Sequence, residues 1–266
     1  MQHRAKKRLG QNFLVDQDII QRIVDSIRPM ENETIIEIGP GLGALTKPIL
    51  EKTGQLDVIE YDHDIIPKLQ LNCSFDNNLR IHEMDVLKFD FTAFQHELSN
   101  ENKIRVVGNL PYNISTPVLF HLLKHRHVVQ DMYFMLQKEV VDRITSASGS
   151  KTYGRLSVMI QSYFEVTPLF IVPAHSFDPA PKVESAILKL RPIAHQSDHA
   201  PDYRILEELV RTAFSQRRKT LKNTLKDLCT IEQLDKIGID PSQRAETVPL
   251  KAFIALHELL KAEKYL

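Results

Sequence analysis

The sequence predicts an α/β protein with a doubly wound, mostly parallel sheet, followed by a small all-α domain. Short β-branched runs alternate with segments of helical pattern through the greater part of the chain. A glycine-rich turn follows the first buried run, and the C-terminal part shows only helical patterns. With 266 residues, the chain is long enough for one α/β domain of about 200 residues and a smaller helical one.

Seven strands are predicted from short apolar runs that are rich in β-branched or aromatic residues. The last of them, Ser185–Leu190, follows a proline-rich stretch and is expected to complete an antiparallel hairpin. The other six runs are the one that begins at Thr34, Leu56–Glu60, Leu79–His82, Ile104–Val107, Asp131–Leu136 and one within Leu156–Ile171.

Apolar residues at helical spacing predict the helices. The first helix contains Ile19 to Ile27 and ends before Pro29, because the residue before a proline disfavours helical geometry. The polar stretch His195–Pro201 is expected to be a linker, so the predicted domains are 1–194 and 195–266. Four helices are predicted for the second domain: Tyr203–Ser215, Lys219–Leu228, Ile231–Ile237 and Leu250–Ala262.

The composition restricts the class of protein. The formal net charge is zero, so any nucleic-acid surface must be a local patch. Cys73 and Cys229 lie too far apart for a metal or redox motif, which favours a reduced compartment. No apolar run approaches the roughly 18 residues of a membrane span. We therefore expect a soluble, cytoplasmic protein without a membrane partner.

Gly39-Pro-Gly41-Leu-Gly43-Ala44 matches the loose glycine pattern of dinucleotide-binding turns. Glu60 ends the next strand, where a carboxylate can bind a ribose, but both features serve NAD and S-adenosylmethionine equally. Glu37 would be unfavourable beside a pyrophosphate and tolerable beside a sulfonium, while Asp85 can accept from an adenine amine. These two acids favour the methyl donor over a turn that serves only packing.

Asn109-Leu110-Pro111-Tyr112 follows the fourth predicted strand, at the edge where ligands bind in open α/β sheets. The Asn109 amide oxygen and the Leu110 carbonyl can accept hydrogen bonds from an exocyclic amine of a base, and Tyr112 can stack on that base. A turn that only caps the following helix explains these residues about equally well.

Taken together, the motifs resemble those of the rRNA adenine N6-dimethyltransferases, and most closely their bacterial housekeeping branch. This resemblance implies a seven-stranded Rossmann-like methyltransferase sheet that uses S-adenosylmethionine. It also implies dimethylation of two adjacent adenosines in the 3′-terminal hairpin loop of 16S rRNA. The motifs are Gln11–Leu14, Glu37–Thr46, Asn109–Tyr112, Phe177–Ser185 and Phe214–Leu221.

The resemblance assigns roles to individual residues. The cofactor would be bound by Asn12, Leu14, Gly39, Gly41, Glu60, Asp85 and Asn109. The catalytic residues would be Asn109 and Leu110, with Tyr112 and Phe177 on the two faces of the target base. By composition alone, Phe177 is better explained as a core residue, and only the resemblance favours stacking. Met84 stands where the family usually has glycine before the acid, a departure that bears on the turn leading to Asp85.

A basic run without acids extends from Phe214 to Lys226, and we expect it to contact RNA phosphates through Arg217, Arg218, Lys219 and Lys222. A solvated helix face is the alternative. The basic N-terminal arm contains Arg4, Lys6, Lys7 and Arg8. Its two alternatives are phosphate contact and a solvated or disordered tail. His121, His125 and His127 lack an accompanying acid or cysteine, so no metal site is predicted.

The expected partner is 16S rRNA within a 30S subunit precursor, bound by a monomer. Two rivals share the fold: a non-catalytic rRNA-binding assembly factor and a methyltransferase of large-subunit rRNA. A nicotinamide dehydrogenase is disfavoured because hydride transfer gives no role to the Asn109–Tyr112 turn.

Overall fold

The computed structural model describes residues 10–98, 102–194 and 201–264, which form two compact units. The first comprises the residues up to Lys138 together with Thr167–Pro192. The second comprises Glu139–Val166 together with the residues from Ile193 onward. Packing therefore groups Glu139–Val166 with the C-terminal helices, which the sequence does not indicate. The division of the chain between residues 194 and 195 stays a prediction.

The described residues contain a seven-stranded sheet and a separate two-stranded one. The strands are β1 (Phe13–Leu14), β2 (Ile35–Ile38), β3 (Leu56–Glu60), β4 (Leu79–Glu83), β5 (Ile104–Asn109), β6 (Val129–Gln137), β7 (Phe164–Val172), β8 (Phe177–Asp178) and β9 (Ser185–Pro192). The larger sheet has the order β4-β3-β2-β5-β6-β9-β7. Its pairs from β4 to β6 are parallel, and β9 is antiparallel to β6. The predicted doubly wound, mostly parallel α/β fold is confirmed.

The small sheet, β1 paired with β8, is not foreseen by the sequence. Leu14 lies opposite Phe177, and the N–H groups of Val15 and Asp16 donate to the carbonyl of Ser176 at 2.9 and 3.4 Å. The hydroxyl of Ser176 also donates to Asp16 Oδ2 at 2.9 Å. The segment before the first helix is thereby fixed to the proline-rich loop.

The helices of the described residues largely follow the predicted pattern. They are α1 (Gln17–Ile27), α2 (Thr46–Thr53), α3 (Ile66–Asn72), α4 (Phe91–Glu97), α5 (Ser115–Lys124), α6 (Lys138–Thr145), α7 (Arg155–Gln161), α8 (Tyr203–Ala213), α9 (Leu221–Thr224), α10 (Ile231–Lys236) and α11 (Leu250–Lys264). The sequence missed α4, and it predicted too long a helix at α9, beyond which hydrogen-bonded turns continue. None of these helices is long and apolar enough to cross a membrane.

Helix α1 shows how local chemistry and packing set one element. The side chain of Asp16 caps its first turn by accepting from the N–H groups of Asp18 and Ile19 at 3.1 and 3.2 Å. Its apolar face is buried, and the helix ends at Arg28, whose backbone has the left-handed φ of 51°. The buried residues of this face are Ile20, Ile23, Val24 and Ile27.

A buried arginine joins the end of α1 to the amino ends of two strands. Arg105 of β5 donates to both carboxyl oxygens of Asp131 in β6, at 2.8 and 3.1 Å. Its other contacts are with Glu33 Oε2 and with the carbonyl of Ile27, both at 2.7 Å. The guanidinium therefore satisfies the last turn of α1 and neutralises two carboxylates at once.

In the second unit, His257 of α11 is fully buried and accepts a hydrogen bond at Nε2 from the N–H of Asp202, at 2.8 Å. Its Nδ1 lies 3.0 Å from Glu258 Oε1. Since Nε2 accepts, the ring is neutral with its proton on Nδ1. Burial lowers the pKa of His257, which favours this neutral form. The histidine thus ties α11 to the start of α8.

Replacing Arg105 with Ala should lower the free energy of unfolding by about 3–5 kcal/mol, because it leaves the buried Asp131 carboxylate without a partner. Urea unfolding followed by circular dichroism measures the effect. The matched control is Arg80→Ala: this arginine is half exposed, and its partner, the buried Asp57, keeps the contact with His82 Nε2 at 2.8 Å. We expect that control to cost about 1 kcal/mol or less. Equal effects of the two variants would contradict this account of Arg105.

Candidate active site

A cavity of about 930 Å³ opens at the carboxyl ends of β2, β3 and β5. Because parallel strands end at the same edge of a sheet, the turns that follow them lie side by side there. The cavity is bordered by the N-terminal segment, the glycine turn, the residues after β3 and β4, and the turn after β5. Its size is that of a site for a cofactor or small ligand.

The N-terminal segment forms one wall of the cavity. Asn12 and Leu14 both line it, and their role in cofactor binding stays a prediction. Gln11 Nε2 donates to Asp62 Oδ2 at 2.7 Å, and the carbonyl of Asn12 accepts from Asn109 Nδ2 at 3.1 Å. These two bonds hold the wall against the turns after β3 and β5. The basic arm with Arg4, Lys6, Lys7 and Arg8 lies outside the described residues.

The glycine turn forms a second wall, which Gly39 and Gly41 line. Gly39 is fixed by its N–H, which donates to the carbonyl of Ile59 at 2.9 Å. Gly41 has a φ of +56°, and an added Cβ would lie 3.2 Å from the ring of Phe13. A side chain at Gly41 would therefore be strained by its backbone and crowded by the N-terminal wall.

Glu60 ends β3 and is buried at the base of the cavity. Its carboxylate accepts from the N–H groups of Asp62, at 2.8 Å, and Gly41, at 3.4 Å. Burial raises the pKa of Glu60, and these hydrogen bonds act in the opposite direction. The carboxyl group is thus fixed in place by the backbone on both sides of it.

Asp85 lines the cavity just after β4, where its side chain accepts from the N–H of Leu87 at 2.9 Å. Met84, the residue that departs from the family motif, also lines the cavity and donates its N–H to the carbonyl of Glu60 at 3.0 Å. With Met84, the turn therefore still brings Asp85 to the cavity beside Glu60.

Glu37 of β2 lines the cavity and is only 2% exposed. The hydroxyl of Thr46, at the start of α2, donates to its Oε2 at 2.6 Å. Burial raises the pKa of Glu37 to about 7, while the bond from Thr46 lowers it and the charge of Glu60 raises it further. A carboxyl group that ionises near neutral pH thus faces the cavity.

The turn after β5 begins with a close approach of two strands. A Cβ at Gly108 would lie 2.5 Å from the carbonyl oxygen of Ile38, so only glycine fits between β5 and β2. Asn109 then ends the strand and binds Asn12 through its amide nitrogen, which leaves the amide oxygen as an acceptor. The Leu110 N–H donates to the carbonyl of Met135 at 3.2 Å and holds the next peptide in place.

The two aromatic residues predicted to stack on a base are placed differently. Tyr112 lines the cavity, and its hydroxyl lies 2.7 Å from the hydroxyl of Ser185. Burial raises the pKa of Tyr112. Phe177 is only 4% exposed, packs in the hydrophobic core and does not line the cavity. Its stacking role stays a prediction.

The basic run lies in the second unit. Arg217, Arg218 and Lys219 are exposed between α8 and α9, and Lys222 is exposed on α9. Arg217 has its Nε 3.6 Å from Glu246 Oε2, and this long contact involves an arginine that is 76% exposed. The positive charges are thus available to a polyanion, although their contact with RNA stays a prediction.

The histidine-rich stretch after α5 lies at the opposite edge of the sheet from the cavity. α5 starts just after the Asn109 turn and ends at Lys124, and β6 begins at Val129 with its amino end. Thr92 Oγ1 lies 2.8 Å from His125 Nδ1 and 3.2 Å from His127 Nε2. Within the described ranges, no three His, Cys, Asp or Glu side chains are arranged to hold a metal ion.

Sequence reasoning missed three partners of the predicted site residues. Gln11 and Asp62 close the wall, and Ser185 holds Tyr112. Asp62 stands two residues after Glu60, and Gln11 belongs to the same motif as Asn12, so both had a local signal. Ser185 ends the Phe177–Ser185 motif, but that motif does not indicate its contact with Tyr112, which joins residues 73 positions apart.

Comparison with known proteins gives a consistent result. The family model for ribosomal RNA adenine dimethylase matches residues 2–262. The ribosomal RNA small subunit methyltransferase A of Pseudomonas aeruginosa is 49% identical over 255 residues, or 96% of this chain and 94% of that one. Its counterpart from Nitrosococcus oceani is 50% identical over 256 residues, or 96% and 95% of the two chains.

Solved structures agree with this. A dimethyladenosine transferase from Plasmodium falciparum has a TM-score of 0.77 at 25% identity and covers 95% of this chain and 98% of its own. The 23S rRNA methyltransferase ErmE has a TM-score of 0.69 at 23% identity, with coverage of 94% and 100%, and supports the fold alone.

Replacing Gly108 with Ala should lower the free energy of unfolding by about 1–3 kcal/mol or more, because the methyl group cannot fit against the Ile38 carbonyl. Thermal unfolding measures this. Gly154→Ala is the matched control: its backbone is extended and no atom lies within 4 Å of an added Cβ. That control should stay within about 0.5 kcal/mol. A Gly108→Ala protein as stable as the control would show that β5 and β2 can separate at little cost.

Proposed function

Because the chain belongs to the ribosomal RNA adenine dimethylase family, we propose that it methylates N6 of two adjacent adenosines in the 3′-terminal hairpin loop of 16S rRNA. Each base receives two methyl groups and becomes N6,N6-dimethyladenosine. The observation that carries the proposal is the position of Asn109. It ends β5 beside the cavity, with its amide nitrogen bound to Asn12 and its amide oxygen left as an acceptor.

The methyl donor of this enzyme is S-adenosylmethionine, and the residues around the cavity fit that molecule. The turn at Gly39 and Gly41 has no side chains to obstruct a ligand, and the fixed carboxylate of Glu60 suits a pair of ribose hydroxyls. Asp85 would accept from the adenine amine, and Asn12 and Leu14 would cover the outer side. When bound, the cofactor supplies a methyl group that is activated by a positively charged sulfur.

The turn after β5 would activate the target amine. The N6 amine of adenine is a poor nucleophile because its lone pair is delocalised into the ring. Asn109 Oδ1 and the carbonyl of Leu110 would accept its two N–H bonds and draw the nitrogen towards tetrahedral geometry. Both groups are held in advance, Asn109 by Asn12 and the Leu110 N–H by Met135. Most of the catalysis would then be positional, with no strong base required.

The same acceptors serve the second methylation. After the first transfer, the ammonium product loses a proton and the nitrogen keeps one N–H and a lone pair. Either acceptor can hold that remaining N–H, provided that the other one makes room for the first methyl group. A single site of this kind therefore suffices for two successive transfers to one base.

Aromatic residues would hold the target base after it leaves its loop. Tyr112 would stack on one face, with its ring held by the hydroxyl of Ser185. Phe177 would supply the other face. Because Phe177 is only 4% exposed, this role requires the β8 region to rearrange when RNA binds.

The rRNA would be bound within a 30S subunit precursor in the cytoplasm, by one copy of the chain and without a metal ion. Exposed Arg217, Arg218, Lys219 and Lys222 support phosphate binding of this kind, because such contacts need accessible positive charge and no particular base sequence.

Replacing Asn109 with Ala should lower the rate of methyl transfer by about 10²-fold or more, by analogy with the loss of one preorganised polar group in other active sites. Transfer is measured with radiolabelled cofactor on undermethylated 30S particles, and the modified adenosines are mapped by mass spectrometry. Calorimetry should find cofactor binding weakened only a few-fold, since Asn109 also supports the Asn12 wall.

Asn77→Ala is the matched control, because Asn77 is exposed in the turn before β4 and does not line the cavity. It should retain nearly full activity. Dimethylation by Asn109→Ala at the rate of this control would rule out the mechanism.

Replacing Arg218 with Ala should weaken binding to 30S particles. The fall of log affinity with log salt should become less steep by about 0.7–0.9, the value of one phosphate contact. Filter binding between 50 and 200 mM salt, roughly the range over which such slopes are resolved, measures it. Lys236→Ala removes an exposed lysine of α10, outside the basic run, and should leave the slope unchanged. Identical slopes for both variants would remove Arg218 from the RNA-binding surface.

A further inference from the structure

Glu37 is a buried carboxyl group without a basic partner. It lines the cavity at the end of β2 and is only 2% exposed. Thr46 donates to one of its oxygens at 2.6 Å, and within residues 10–98, 102–194 and 201–264 no lysine, arginine or histidine forms an ion pair with it. This differs from Asp131, another buried carboxylate, which Arg105 neutralises.

The groups packed around Glu37 do not compensate its charge. Its neighbours in the sheet are Val58 of β3 and Val107 of β5. The titratable groups that act on it or feel its charge are Glu60 and Cys73, and neither can supply a positive charge. Lys47 of α2 lines the same cavity, but its side chain is exposed and forms no ion pair with Glu37 among the described residues. An ionised carboxylate in such a place is costly unless a cation arrives from outside the protein.

We propose that Glu37 is the counter-charge for the sulfonium of S-adenosylmethionine, so that the cavity prefers the cationic methyl donor to its neutral product, S-adenosylhomocysteine. The inference rests on the cofactor of the proposed function and is independent of the RNA substrate. Donor and product differ at one sulfur, which is positively charged before transfer and neutral afterwards. A carboxylate close to that sulfur therefore distinguishes the two, whereas one close to the shared amino group does not.

A proton should accompany this preference. Burial raises the pKa of Glu37 to about 7, so the free protein at neutral pH is a mixture of protonated and ionised forms. Binding of the donor selects the ionised form, and about half a proton per molecule should be released at pH 7. The product carries no sulfonium charge, so its binding should release much less.

Isothermal titration calorimetry of the full chain tests the idea without any methyl transfer. Titrations at pH 7 with S-adenosylmethionine and with S-adenosylhomocysteine, each in phosphate and in Tris buffer, give the number of protons released. We expect release with the donor and little with the product. We also expect the affinity for the donor to rise from pH 6 to pH 8 relative to that for the product. Equal proton release by the two ligands would overturn the proposal.

Glu37→Gln keeps the shape of the side chain and removes its charge. Donor binding should weaken about tenfold, which is the effect of about 1.4 kcal/mol, while product binding changes by less than about threefold. Proton release should vanish. The control is Glu31→Gln, which removes an exposed carboxylate before the amino end of β2, away from the cavity lining, and should leave the ratio of the two affinities unchanged. An unchanged ratio in Glu37→Gln would also overturn the proposal.

Stability provides the check that Glu37→Gln folds. Folding raises the pKa of Glu37 from its ordinary value of 4.5 to about 7. With respect to Glu37, the folded protein is therefore most stable at low pH, where this group is protonated in both states, and it loses this stability as pH rises from the unfolded pKa through about 7. The Gln variant should therefore be more stable than the unmodified chain above pH 7 and equal to it at low pH. Thr46→Val provides a second test, because it removes the hydroxyl whose hydrogen bond favours the ionised form of Glu37. The pH at which S-adenosylmethionine binding strengthens should therefore shift upward.

Discussion

The site depends on the close approach of β2 and β5. A Cβ at Gly108 would lie only 2.5 Å from the carbonyl of Ile38, so the two strands stay side by side to their carboxyl ends only because residue 108 has no side chain. The glycine turn leaves one strand and the Asn109 turn leaves the other. An added Cβ at Gly39 would come within 3.8 Å of the Asn109 carbonyl, which shows how near the two turns lie. The turn proposed to bind the cofactor and the turn proposed to hold the target amine thereby border one cavity.

In the first unit, buried charged groups form ion pairs at the amino edge of the sheet and lack them at the carboxyl edge. At the amino edge, Arg105 is paired with Asp131 and Glu33, and these bonds serve stability. At the carboxyl edge, Glu37 and Glu60 are buried together, and no lysine, arginine or histidine of the described residues forms an ion pair with either of them. Uncompensated charge of one sign is expected where a ligand supplies the other. The unpaired carboxyl groups at the cavity are therefore suited to binding a ligand, whereas the ion pairs at the amino edge stabilise the fold.

The small sheet of β1 and β8 connects the two halves of the proposed reaction. β1 belongs to the wall that carries Asn12 and Leu14, and β8 carries Phe177, the predicted second stacking residue. Leu14 is opposite Phe177, and Ser176 binds Asp16 at the start of α1. A movement that exposes Phe177 must therefore disturb the cofactor wall as well. Binding of cofactor and binding of RNA are expected to influence each other through this pairing.

Local sequence patterns were enough to predict the alternating strands and helices and the glycine turn. They also predicted the acids and the Asn109 turn at the strand ends. These are local features, because β-branched runs, helical spacing and turn residues act over a few neighbouring positions. The folded structure was needed to show that Phe177 is buried, that β1 pairs with β8, and that Ser185 holds Tyr112. It also shows that, among the described residues, no basic side chain forms an ion pair with Glu37. The reason is that such contacts join residues distant in sequence, and a two-residue strand or a single hydroxyl leaves no periodic pattern that would reveal its partner.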